Sequence, residues 1–282
     1  MRWNPGHSSP DVLDHRGRGG GGGLGLIMGL LPFLLRTPFG WLILLVVVGF
    51  VVLRGFFGGG SPSRSAQGVR GGDERVAFVS FVLDDNQDTW TRIFEEQGRS
   101  YERAKLVLFT DSTPTGCGFG RAATGPFYCP ADRRVYLDLS FFRELETKLG
   151  ARGDFAQAYV VAHEVGHHVQ NVLGLSDRVR GPKSSVQGAT GASVRLELQA
   201  DCFAGIWAHG TTTRDLLEKG DLEEALGAAA AIGDDRLQKQ ATGDVAPDSF
   251  THGTSAQRAR WFQRGFESGR MADCDTFAAS EL

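Results

Sequence analysis

Positive charge is scarce where a nucleic-acid protein would need it. Of 30 Lys and Arg residues, seven precede Asp73, whereas of 33 Asp and Glu residues only Asp11 and Asp14 do. Residues 73–282 therefore carry 23 basic and 31 acidic side chains, a net of −8. Phosphate binding requires a basic face, so this balance argues against a nucleic-acid partner. Internal repeats are also absent, and the expectation is one folded domain with extra segments at its front. Cysteine is limited to four residues, Cys117, Cys129, Cys202 and Cys274, all in the second half of the chain or close to it. An even count suits two disulfides: Cys117 and Cys129 flank a glycine-rich loop and can bridge locally, which leaves Cys202 for Cys274, although other pairings and four reduced thiols stay open.

What is present in quantity is apolar residues, 41% of the chain against 22% charged, enough for a sizeable core. They are unevenly spread. Residues 1–36 mix Pro, Ser, Asn and Arg with the glycine run Gly19 to Gly23, without apolar periodicity, and are expected to be disordered apart from the interfacial run Leu24 to Leu35. Phe39 to Phe57 is nearly unbroken in its apolarity and interrupted only near its end by Arg54, so 37–57 is expected to be a transmembrane helix. Trp41 and Phe56–Phe57 would mark its two interfaces. A cleaved signal peptide fits less well, because no small-x-small site follows Leu53. Arg2, Arg16, Arg18 and Arg36 precede the span and Arg54, Arg64 and Arg70 follow it. That bias favours a single pass with the N-terminus cytoplasmic and the C-terminal domain extracytoplasmic. Residues 58–72, rich in Gly, Ser, Pro and Arg, read as a flexible linker.

The remaining residues, 73–282, form the folded domain. Val76 to Leu83 is extended or helical, and Asn86 to Gln97 carries Trp90, Ile93 and Phe94 at helical spacing. Leu106–Phe109 and Arg134–Leu139 read as strands. After Gly153 helices dominate: one from Asp154, with Gln157 at the capping-box return position, ending at Gly174; one from Ser193 to His209; one from Asp221, with Glu224 as its partner; and one from Thr254, with Gln257 in that role. The fold class is α+β, mostly helical with a small sheet.

Within the Asp154 helix lies His163-Glu164-Val165-Gly166-His167. Residues four apart stand on one face, so two imidazoles can reach a single zinc ion, one per chain. Glu164 points about 100° away, where it can serve as general base toward a water. His168 falls about 140° from His163 and is assigned to a supporting or surface position. The third metal ligand is expected from Glu197, in Arg195-Leu-Glu-Leu-Gln-Ala-Asp201, with Asp201 on the same face to orient a ligating histidine. The apolar neighbours Leu196, Leu198, Ala200 and Phe203 disfavour an ordinary solvated acidic face, since buried carboxylates need a cation or donors.

His163-Glu-Val-Gly-His-His-Val-Gln-Asn171, Glu197-Leu-Gln-Ala-Asp-Cys-Phe-Ala-Gly205, Gly125-Pro-Phe-Tyr-Cys-Pro130, Phe250-Thr-His-Gly-Thr-Ser-Ala-Gln-Arg258 and Cys274-Asp-Thr-Phe277 together resemble the neutral zinc metallopeptidase family of bacterial membrane-anchored proteins. The resemblance implies a zincin-like core and the hydrolysis of peptide or protein substrates, with Glu197 as third ligand. His252, in a turn ahead of the last helix, is a candidate donor to the developing oxyanion, or else a capping histidine. In similar folds, a strand such as Val135–Leu139 binds substrate backbone by strand addition. The rival reading is a non-catalytic zinc-binding module acting in envelope assembly; Glu164 beside an open position argues for the enzyme.

Overall fold

The structure is a computed structural model and describes residues 1–17, 70–179 and 186–282. The expected span 37–57 and nearly all of the expected linker lie outside the described residues. Among those described, no helix is long and apolar enough to cross a membrane.

Residues 1–16 and 73–282 form one unit. Its sheet has the order β1 (Val12–Asp14), β2 (Lys105–Leu108), β6 (Arg134–Leu137), β5 (Phe127–Cys129), with β1, β2 and β6 parallel and β5 antiparallel to β6. A separate hairpin joins β3 (Ser112–Thr115) to β4 (Gly118–Arg121). The helices are α1 (Arg70–Glu96), α2 (Ser140–Thr147), α3 (Asp154–Val172), α4 (Ala192–Thr213), α5 (Asp221–Ala231), α6 (Asp234–Thr242) and α7 (Ser255–Ser268). The α+β expectation holds. α1 is one continuous helix where two pieces are expected, and α2 and α6 have no counterpart among the expected elements.

The first sixteen residues correct the expectation of disorder. Val12 pairs with Leu106 and Asp14 with Leu108, Trp3 packs edge-on against Phe78 with centroids 5.2 Å apart, and Asp84 bonds both His7 and Ser9 at 2.8 Å. Asp11 is buried and accepts from Arg103 at 2.7 Å. The segment lacks apolar periodicity because its anchors are polar groups and single aromatic contacts to distant residues, which no local pattern reveals. Residues 1–16 are thus part of the same folded body as residues 73–282.

Helix α3 is buried on nearly every side, its buried polar residues His163, Glu164, His168 and Gln170 included. Phe155 stacks on Trp207 of α4 with centroids 5.4 Å apart, and Trp90 of α1 meets Phe203 edge-on at 5.2 Å. The α3 start differs from the expected cap: Gly153 holds the N-cap position without a side-chain bond, and Glu224 reaches across from α5 to accept the Phe155 amide at 3.1 Å. Glu224 is thus engaged outside its own helix. The capping box of Thr254 and Gln257 is formed as expected. Helix α4 runs through Gly210, the expected stop, to Thr213. Both local and long-range disulfides are present, Cys117–Cys129 and Cys202–Cys274, with Cα separations of 5.8 and 5.6 Å.

Candidate metal centre

Two helices crossing at short range build the site. A Cβ placed on Gly166 would lie 2.9 Å from the Ala200 carbonyl oxygen and 3.1 Å from its Cα, so only glycine lets α4 approach α3 this closely. Ala200 stands between Glu197 and Asp201, and the approach carries both carboxylates to the histidine face of α3. His163 Nε2 is 3.2 Å from one Glu197 oxygen and His167 Nε2 is 3.4 Å from the other. The ligand atoms of His163, His167 and Glu197 lie within 4.8 Å of one another.

The outward nitrogens of both imidazoles are tied. His163 Nδ1 is 2.9 Å from Asp201, whose carboxylate is fully buried and also accepts from Tyr159 and from both Nε and Nη2 of Arg258 at 2.9 Å. His167 Nδ1 is 2.9 Å from the Gln170 side-chain oxygen, and Gln170 is held by Leu196 O at 2.7 Å and by Gln199, which in turn donates to Cys274 O at 3.0 Å. Carboxylate and amide oxygens accept here, so each Nδ1 carries a proton and Nε2 is the atom of each ring left to face the shared space and a metal.

Burial opposes charge throughout this cluster, and the neighbours decide the outcome. Burial disfavours a cationic His163, but Asp201 and Glu197 outweigh it and lift the imidazole to about 9. Burial also pushes against ionised Glu197, which His167 and His163 nonetheless hold well below the usual carboxylate range. The same holds for Asp201, where Arg258 and then His163 overcome burial and lower its value. Glu164 behaves differently. Its burial dominates over the nearby histidines and raises it, and no described residue hydrogen-bonds its carboxylate.

The donor set fits zinc. Bonds of about 2.0–2.2 Å at tetrahedral angles put ligand atoms about 3.3–3.6 Å apart, close to the 3.2 and 3.4 Å between the histidines and Glu197. Three protein donors leave one position for water or substrate, the pattern of catalytic rather than structural sites.

The chain matches the family described as "Putative neutral zinc metallopeptidase" over residues 1–277. It belongs to the neutral zinc metallopeptidase family. Among its relatives, the uncharacterized protein YpfJ of Escherichia coli is 50% identical over 296 aligned positions, covering 99% of this chain and 100% of the relative. The uncharacterized protein Rv2575 of Mycobacterium tuberculosis is 47% identical over 193 positions, 64% of this chain and 65% of its own. No solved structure matches the chain. The match begins at residue 1, in keeping with the docking of the first sixteen residues onto the metallopeptidase domain.

The structure thus brings His163, Glu164, His167, Glu197 and Asp201 together. His252 stands at the margin, half exposed, in a turn where Asp234 accepts its backbone amide at 2.7 Å. Three further residues escaped the sequence reading as parts of the site: Gln170, Tyr159 and the buried Arg258. Gln170 lies in the quoted motif, one turn beyond His167, and that spacing was its only signal. His168 is fully buried, bonded to Glu102 O at 2.6 Å and to the Tyr128 hydroxyl at 3.1 Å, so it packs α3 against the sheet and is not a surface residue. The strand expected to receive substrate is also corrected. β6 has β2 on one side and β5 on the other, so it has no free edge; β5 is the edge strand next to α3, tied to Asn171 through Tyr128 at 2.9 Å.

Proposed function

We propose that this chain is a zinc-dependent peptidase in which Glu164 is the general base. One observation carries the reading: the Glu164 carboxylate, with no hydrogen-bond partner among the described residues, stands beside three convergent donors whose far sides are already tied.

His163, His167 and Glu197 would hold the metal. When bound, zinc supplies Lewis acidity to a carbonyl oxygen and brings the pKa of a water toward neutrality. Glu164 takes the proton of the attacking water and delivers it to the leaving amine; its burial raises its pKa and so makes it a stronger base. Asp201 holds the His163 ring in the Nδ1–H form, and Gln170 does the same for His167. His252 donates to the developing oxyanion. The free edge of β5 pairs with the extended substrate backbone. Peptide bonds within protein chains are the substrate class, and the apolar run Phe39–Phe57 keeps the enzyme at a membrane with both of its flanks on one side.

The test of hydrolysis is a diverse peptide library incubated with metal-stripped protein, then with zinc restored. Zinc-dependent cleavage is expected; equal product profiles with and without zinc would remove the peptidase reading. The sidedness is tested by a membrane-impermeant amine reagent and protease on intact cells. Both termini should be accessible together or protected together, and one without the other would refute it.

A further inference from the structure

The turn carrying His252 is locked from a different helix. Asp234, the first residue of α6, accepts three successive backbone amides on one oxygen: Thr251 at 2.7 Å, His252 at 2.7 Å and Gly253 at 3.1 Å. In return its own N–H donates to Gly253 O at 2.8 Å. The adjacent Asp235 accepts from Ser255 N at 2.8 Å and from its hydroxyl at 2.9 Å, fixing the chain just beyond the turn. On the other side, a Cβ on Gly253 would lie 3.1 Å from Val194 and 3.3 Å from Leu198. Val194 and Leu198 share a face of α4 with Glu197, so the turn is pressed against the helical turn that supplies the third donor.

The second Asp234 oxygen is 3.2 Å from His252 Nδ1, and the Thr251 hydroxyl is 2.9 Å from the same nitrogen. An ionised carboxylate has no proton to give, so Nδ1 holds one. Nε2 has no partner among the described residues, and half of the side chain is exposed. The charges that act on this ring are Asp234, Glu197 and Arg258.

We propose that Asp234 is a positioning residue that fixes both the place and the tautomer of His252, so that Nε2 faces substrate beside Glu197. The substrate half of this inference rests on the metallopeptidase reading; the Asp234–His252 half does not. An aspartate that orients a histidine through Nδ1 while Nε2 works on substrate is a recurring device in hydrolases. Here the same carboxylate also immobilises the backbone that bears the ring.

The test compares full-length wild type with Asp234→Asn and Asp235→Asn, labelled with ¹⁵N in histidine, with His252 assigned by its loss from the spectrum of H252Q. Asparagine at 234 keeps an oxygen for the three amides and puts an NH₂ donor where the ring nitrogen needs an acceptor. The expected result at alkaline pH is a shift of His252 from the Nδ1–H to the Nε2–H form in D234N. Turnover of peptides should fall about 10–100-fold, the usual scale for losing an orienting partner. Zinc affinity should stay within about threefold of wild type, a change under 1 kcal/mol. D235N should match wild type in tautomer and turnover. An unchanged tautomer in D234N would overturn the proposal, as would equal losses in D235N, which would show that only turn stability matters. Should wild type cleave no peptide, the metallopeptidase reading falls, and the tautomer comparison still decides the role of Asp234.

Discussion

Replacing Gly166 by alanine sets two effects of known size against each other. In a helix interior, alanine is favoured over glycine by about 1 kcal/mol, so a surface position would be stabilised. At residue 166 the added methyl meets the Ala200 carbonyl oxygen at 2.9 Å and its Cα at 3.1 Å, both main-chain atoms of a buried helix that cannot rotate away. Ordinary contact requires α4 to retreat by about 0.3–0.5 Å, and overpacking of this kind costs about 1–3 kcal/mol. The net change in stability is therefore small, from near zero to about 2 kcal/mol of loss. The retreat itself matters more, because Glu197 sits on the same turn of α4 and metal–ligand distances tolerate about 0.2 Å. Zinc affinity should drop tenfold or more, equivalent to about 1.4 kcal/mol. The assay is chelator competition for zinc alongside thermal melting of the metal-free protein. A G166A protein with raised melting temperature and wild-type zinc affinity would refute the close-crossing argument.

Further outcomes follow from the same geometry. Zinc binding should tighten as pH rises toward about 9, the value to which Asp201 and Glu197 lift His163 against its burial, because the proton must leave before the metal binds. Metal-free stability should run the other way: the raised His163 contributes fully below about 6.5, its unfolded value, and that contribution is lost as pH climbs through about 9. Calorimetry in several buffers with different ionisation enthalpies would count the released protons, and release of none would contradict both statements. Replacing Arg258 with methionine leaves Asp201 buried without its cation and should destabilise the fold by about 3–5 kcal/mol in chemical denaturation, whereas a loss under 1 kcal/mol would show the pair to be unimportant. Joint replacement of Cys202 and Cys274 by serine opens a bridge closing 72 residues and should cost about 4 kcal/mol by chain entropy, read from the denaturation midpoint of oxidised against variant protein; equal midpoints would exclude that contribution.

How much of this was legible in the sequence depended on whether the signal was local. His163, Glu164 and His167 share one helix, and a spacing of four places both imidazoles on one face without reference to anything else. Glu197 and Asp201 were readable because acids set among Leu196, Leu198, Ala200 and Phe203 demand a partner. Arg258 stands one turn into the last helix with no local sign of burial, which arises only when α7 packs on α4. Glu224 has the spacing of a cap for its own helix, yet in the fold it serves α3, because Gly153 leaves the Phe155 amide open on that side. The docking of residues 1–16 was hidden for a similar reason. Its strand is three residues long, and its polar anchors, Asp84, Arg103 and Lys105, lie far along the chain.

The central claim concerns a water activated beside His163, His167 and Glu197 with Glu164 as its base. It is tested most directly by zinc-loaded wild type and Glu164→Gln compared on one cleaved peptide, with zinc content measured in the same samples. Glutamine keeps the shape of the side chain and removes its ability to take a proton. The account predicts one zinc per chain in both proteins and turnover reduced by about 10²–10⁴ in the variant, the range general-base catalysis supplies. Equal turnover at equal zinc content would contradict it.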